Sequence, residues 1–334
     1  MESKKTRKQN MFVTFAVMTV MFIAAIVLAL LFGGTHLTPS EVFAGLVGKA
    51  EENLVIIVQN VRMPRVFAAV LAGIGLSVSG TLLQGVTDNG LASPNLIGVN
   101  SGAGLMTILV LCFFPTAVYA LPVAAFVGAF AATLLIVWTA GKIGSSKSTI
   151  ILAGIALTTI LNAAISFISL LDTDVVAVYN YFSIGGLQGV QGKMIIVPAI
   201  FIAVSLVAAL LLSPRIAVLC LGDSIGASLG VRVKSLRVIC LICASASAAA
   251  VVSFAGLLGF VGLIVPHIGR RIVGGNMTRL LAASSIIGAT IVLLADMLGR
   301  TLFAPTEVPV GIVMALIGAP FFLMLLLKRR GEHA

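Results

Sequence analysis

The side chains of this chain that could do chemistry are few, and they do not form a catalytic set. His36, His267 and His333 are scattered along the sequence, mostly near the ends of apolar runs. Cys112, Cys220, Cys240 and Cys243 lie in or beside apolar segments without metal-ligand spacing, so they read as small apolar fillers. The stretch GKIGSSKST (Gly141 to Thr149) approaches the phosphate loop G-x-x-x-x-G-K-[ST]. It carries Ser146 where the second glycine belongs, and it follows an apolar run where a strand is required. ATP, if it drives this protein, must be bound by another subunit. Acids are absent from the centres of the apolar runs, which argues against proton or sodium coupling through intramembrane carboxylates. The conspicuous charges are Arg62 and Arg65, three residues apart in LVIIVQNVRMPRVFAAVLAG (Leu54 to Gly73), a run apolar at both ends. Charges so placed need a compensating partner.

The elements that must position these residues follow from composition. The chain has 334 residues, of which 60% are hydrophobic and 10% charged, against about 45–50% and about 25% in soluble domains. Mean hydropathy is +1.18, and the apolar runs are long and continuous, which indicates spanning helices over the short alternating segments of a barrel. Runs long enough to cross about 30 Å of hydrocarbon fall at 11–33, 54–85, 98–115, 118–141, 149–171, 193–213, 236–254, 256–273, 279–299 and 308–327. The run at 256–273 is short and is broken by Gly259, Gly262 and Pro266. Met11 to Phe32 exceeds the 7–15 residues of a signal h-region, so it is read as the first span.

The net charge of +10 does not point to nucleic acid, because most of the basic residues sit in short clusters between alternate apolar runs. That is the pattern of cytoplasmic loops. It leaves Lys49, Arg62, Arg65, Lys193 and Arg300 outside, among Glu41, Glu51, Glu52, Asp172, Asp174 and Glu307. The expected fold is an all-α membrane protein of about ten transmembrane helices with both termini cytoplasmic. Residues 1–10 form a basic tail, 11–327 a single transmembrane domain with the inside segment 214–237 between the sixth and seventh spans, and 328–334 a second tail. Several of the 34 glycines fall at close-packing intervals, among them Gly98 and Gly102, and Gly73, Gly75, Gly80 and Gly85.

Several segments, in order, resemble the permease family of ABC importers for iron-siderophores, haem and cobalamin. They are RMPR at 62–65, SGTLLQGVTDNGLASPNLIGVNSGAGL at 79–105, LAGIAL at 152–157 and LGDSIGASLGVRVKSLR at 221–237. FAGLLGFVGLIVPHIGRRIVGG at 254–275 and LLADMLGRTLFAPTEVPVGIVMALIGAPFF at 293–322 are the most specific. The chain departs from the family where DNGLASP puts Gly90 in place of a common proline, and Asp88 where a basic residue is frequent. YNYFSIGGLQG (Tyr179 to Gly189) also lacks the usual Trp.

The resemblance implies ten spans per subunit and two permease subunits around a central path. It also implies two cytoplasmic ATPases, which hold the ATP and magnesium, and an extracytoplasmic substrate-binding protein or lipoprotein. No cofactor is implied on this chain, which would have no chemistry of its own. Leu221, Gly222, Asp223, Ser224, Ile225, Gly226, Ala227, Ser228, Leu229 and Gly230 match the segment that couples to the ATPase. The residues themselves allow an ordinary amphipathic loop as well. Ser145 and Ser146 match small hydroxyl residues of the cytoplasmic gate. Arg62, Arg65 and Arg300 match outward arginines that meet acids of the binding protein. Arg300 also has Asp296 one helical turn earlier, as an alternative (i, i+4) partner. Small, weakly polar residues of the second, fifth and tenth spans are expected along the path.

The expected function is import of an iron(III)-siderophore-type chelate across a bacterial plasma membrane. A haem or cobalamin permease of the same family is the nearest alternative. A proton-coupled secondary transporter and a non-transporting scaffold are alternatives of other classes. Whether the second permease is a copy or a paralogue is left open.

Overall fold

The computed structural model describes residues 2–143 and 147–330, and every regular element among them is helical. In chain order these are α1 (Glu2–Leu31), α2 (Pro39–Val47), α3 (Glu52–Ile56), α4 (Met63–Thr87), α5 (Val99–Phe113), α6 (Leu121–Ile143) and α7 (Lys147–Leu171). The second half adds α8 (Asp174–Ile184), α9 (Gly192–Leu219), α10 (Asp223–Ser228), α11 (Val233–Ala255), α12 (Val261–Val273), α13 (Met277–Thr301) and α14 (Val310–Arg330). With no water in hydrocarbon to satisfy the backbone, helices that close their own hydrogen bonds are the form these apolar runs must take.

Among the described residues seven helices are long and apolar enough to cross a membrane, while α5 and Val310–Met324 are apolar but shorter. The chain is thus a multi-pass membrane protein. The expected second span is longer than its apolar pattern. A π-helical stretch, Ile57–Arg62, joins α3 to α4, so that Glu52–Thr87 runs on for 36 residues. The Met63 N–H bonds back to the Val58 carbonyl, which is the wide π turn. Pro64 then falls in the first turn of α4, where a missing N–H is tolerated.

The expected span at 256–273 is corrected. Gly256 (φ 67°) and Phe260 (φ 64°) take left-handed backbone, so residues 256–260 are not helical. The helix beyond them, α12, has 13 residues and reaches only about 20 Å. It packs inside the bundle against α4 and α13.

α4 is the hub, packed by α13, α11, α12 and α9, and nearly everything from Ala68 to Thr87 is buried. Two glycines make this possible. A Cβ at Gly80 would sit 1.8 Å from the Gly262 carbonyl oxygen of α12, and one at Gly73 would sit 2.3 Å from the Gly288 oxygen of α13. Such backbone contact is how apolar helices gain packing where lipid is as apolar as they are. Gly73 and Gly80 of the second span therefore serve close packing within the chain. By contrast α1, α7 and α9 leave most of their apolar surface uncovered by this chain.

Candidate functional site

α4 links two clusters of candidate residues. At its start, beside the ends of α1 and α13, three arginines and two carboxylates interlock. Arg65 donates Nε to both carboxylate oxygens of Asp296 on α13 at 3.0 Å and Nη1 to Glu307 at 2.8 Å. Glu307 also accepts from Gln188 Nε2 at 3.0 Å, and Gln188 in turn accepts from the Tyr181 hydroxyl. Arg300 Nε lies 3.1 Å from Oδ2 of Asp296, out of line for a hydrogen bond.

The remaining donors cap α1. Arg62 donates to the carbonyls of Leu30, Leu31 and Thr35 and to the Thr35 hydroxyl, while Arg300 Nη2 reaches the Ala29 carbonyl at 3.0 Å. The last carbonyls of a helix lack intrahelical partners and carry the negative end of its dipole. Two guanidiniums satisfy three consecutive carbonyls here. Gly33 lies between them, where a Cβ would be 3.3 Å from Arg300 Nη1 and 3.4 Å from Arg62 Nη2.

The expected exposed arginine rim is not what these residues form. Arg62, Arg65 and Arg300 are only 4%, 7% and 3% exposed, and all are bonded within the chain. The expected Asp296–Arg300 pair is present, but Asp296 serves Arg65 as well. Burial pushes the Glu307 carboxyl up. The hydrogen bond and charge of Arg65, the hydrogen bond of Gln188 and the charge of Arg300 outweigh that and hold it below the usual carboxylate value. The role of Gln188 and the Arg65–Asp296 contact leave no signal in the sequence, since no local spacing joins residues so far apart in the chain.

At the other end of α4, Gly85 packs against Ile216 and Met277 near the end of α9 and the start of α13. Cys220, just past α9, donates its thiol to the Gly85 carbonyl at 3.4 Å. Here the segment matched to ATPase coupling contains α10, bracketed by Gly222 (φ 117°) and Gly230 (φ 81°). Both need the left-handed region that glycine enters without strain. Leu219 and Gly226 turn inward, whereas Leu221, Ile225 and Leu229 are exposed. The aliphatic side chains around α10 thus divide into one anchor, Leu219, and an uncovered ridge.

Asp223, in the first turn of α10, accepts from Arg237 Nη2 at 2.7 and 2.9 Å. The Arg237 side chain is 2% exposed, so α10 is braced to a buried guanidinium of α11. By sequence alone Arg237 reads only as one of the charges that set topology. Ser145 and Ser146 lie outside the described residues. Beside them, Lys147 pairs with Asp88 at 3.2 Å, and Asp88 is the left-handed cap of α4 (φ 50°).

This arrangement has close parallels among known proteins. Fe(3+)-citrate import system permease protein YfmE of Bacillus subtilis (strain 168) is 36% identical over 328 residues, covering 97% of each chain. Achromobactin transport system permease protein CbrC of Dickeya dadantii (strain 3937) is 37% identical over 314 residues, covering 92% of this chain and 89% of that protein. A chain from an inward-facing metal-chelate type ABC transporter superposes with a TM-score of 0.85 at 29% identity, covering 95% of this chain and 99% of the other. Residues 21–328 match the FecCD transport family, and with the match running through α4, α10 and α13 alike, the chain belongs to that family.

Proposed function

We propose that the chain is the permease of an ATP-driven importer that carries iron(III)-siderophore-type chelates into the bacterial cytoplasm. The relatives named for iron(III)-citrate and achromobactin transport support this cargo class. The observation that carries the reading is the α10 ridge. Ile225 on the six-residue helix, with Leu221 just before it and Leu229 at its C-terminal cap, stands uncovered, and the helix is braced by Asp223 to buried Arg237. A freely moving loop would transmit no force, and a ridge of that chemistry needs an apolar cleft on a partner.

In this reading an ABC ATPase dimer, carrying ATP and magnesium, receives the ridge, and its closure moves α9 and α11 through α10. A second permease subunit covers the open faces. The chain itself is no enzyme, and it resides in the plasma membrane. An extracytoplasmic binding protein meets the end shaped by Arg62, Arg65 and Arg300, which act by holding that surface together. Ser145 and Ser146 contribute to the cytoplasmic gate. Proton coupling finds no support in the long apolar helices, because the acid buried among them, Asp296, is locked to two arginines.

Co-purification with the ATPase tests the reading. Each aliphatic side chain of the ridge contributes about 1.5–3 kcal/mol when fully buried. Combined Leu221→Ser, Ile225→Ser and Leu229→Ser is expected to abolish ATPase capture while melting of the permease is unchanged. Full capture by the triple variant would overturn the proposal.

A further inference from the structure

We propose that the groove between the end of α9 and the start of α11 binds one anionic phospholipid, which ties the arm of the coupling segment to α9. The inference rests on the chain crossing a membrane and not on what it transports. The groove has a volume of about 660 Å³, within the roughly 300–1,000 Å³ of sites that hold small ligands. One wall is α9, with Leu212, Arg215 and Val218. The other is the stretch from Leu229 through Arg232 into α11, with Ser235 and Ile239.

Its polarity is graded. Leu212 and Ile239 lie about two turns inside the apolar helices α9 and α11, whereas Arg215 lies about one turn from the end of α9 and Arg232 immediately before α11. Both arginines are exposed, and neither forms an ion pair among the described residues. The acid of this segment, Asp223, is already taken by Arg237. An apolar slot with two uncommitted guanidiniums at its mouth matches an acyl chain below a phosphate, and basic pockets between helices on the cytoplasmic side are places where anionic headgroups bind. A water-soluble partner docking on α10 has no reach to Leu212 and Ile239. A zwitterionic lipid also brings a phosphate, but with no net charge it leaves the net positive charge of the two guanidiniums uncompensated.

The consequence is mechanical. Leu229, Gly230, Val231 and Arg232 line this groove and lead out of α10, so a lipid phosphate held between Arg215 and Arg232 bridges α9 to the returning arm.

The test uses the full chain in nanodiscs of phosphatidylcholine or phosphatidylglycerol. Retained lipid is counted by native mass spectrometry and amide exchange is followed over 229–232. Wild type is expected to retain phosphatidylglycerol preferentially and to protect those amides in its presence. Arg215→Gln with Arg232→Gln is expected to lose about 25-fold in that preference, about fivefold per arginine. Ile239→Trp, at an exposed position that tolerates bulk, is expected to fill the slot and abolish retention with both arginines intact. Unchanged preference in the double variant would overturn the proposal. So would retention by Ile239→Trp, or protection that appears only on adding an ATPase or a second copy of the chain.

Discussion

Replacing Asp296 by alanine tests the arginine network most sharply. Asp296 is 3% exposed and faces Arg65 at 3.0 Å and Arg300 at 3.1 Å. Its removal leaves both guanidiniums buried near Arg62, with Glu307 as the remaining carboxylate. Removing one partner of a buried pair costs about 3–5 kcal/mol, because the other charge stays desolvated and uncompensated. At about 2.1 cal/mol/K of unfolding entropy per residue, 4 kcal/mol lowers the melting temperature by roughly 6 °C in a chain of this size. The assay is thermal unfolding of the purified chain in detergent, with Asp296→Leu, Arg65→Met and the Asp296→Leu, Arg65→Met pair forming a double-mutant cycle. The apolar pair is expected to recover part of the loss, since exchanging a buried ion pair for packed apolar groups is often neutral. An Asp296→Ala protein melting within about 1 °C of wild type would refute the reasoning.

Four further outcomes follow from the structure. The Glu307 carboxyl titrates lower when folded than when unfolded, so its link to Arg65 adds stability above the unfolded value, and that stability is lost as pH falls through the folded one. The melting difference between wild type and Glu307→Gln should therefore shrink as pH falls below the usual carboxylate value and through the lower folded one, and a difference independent of pH would contradict the link. Gly80→Ala drives a Cβ to 1.8 Å from the Gly262 oxygen and should destabilise by about 3 kcal/mol. Gly141→Ala meets nothing within 4 Å and should melt as wild type does. Arg237→Met removes the brace on Asp223, a bond to a charged group of about 1.5–3 kcal/mol, so amide exchange in α10 should quicken by about tenfold or more while global melting changes little.

The spanning runs were legible because hydrocarbon demands long apolar segments, and the segment holding α10 through its match to the family's coupling segment. The glycines of α4 announced close packing, although which helices they admit depends on Gly262 and Gly288, far along the chain. The run at 256–273 misled, because apolar content survives where Gly256 and Phe260 break the helix and confine α12 within the bundle. Arg62, Arg65 and Arg300 were legible as charges needing partners but not as buried ones. Carbonyls at the end of α1 satisfy Arg62, and a backbone carbonyl leaves no trace in residue type. Asp296 could be read as the helical neighbour of Arg300, whereas its bond to Arg65 arises only when α13 packs on α4.

The central claim is ATP-driven import through this chain. It is tested most directly in proteoliposomes that hold the chain with a candidate ATPase and binding protein, by following a radiolabelled iron(III) chelate. Uptake is predicted to require ATP and the ATPase and to persist when a protonophore collapses the proton gradient. Uptake driven by a proton gradient through the chain alone would contradict the account.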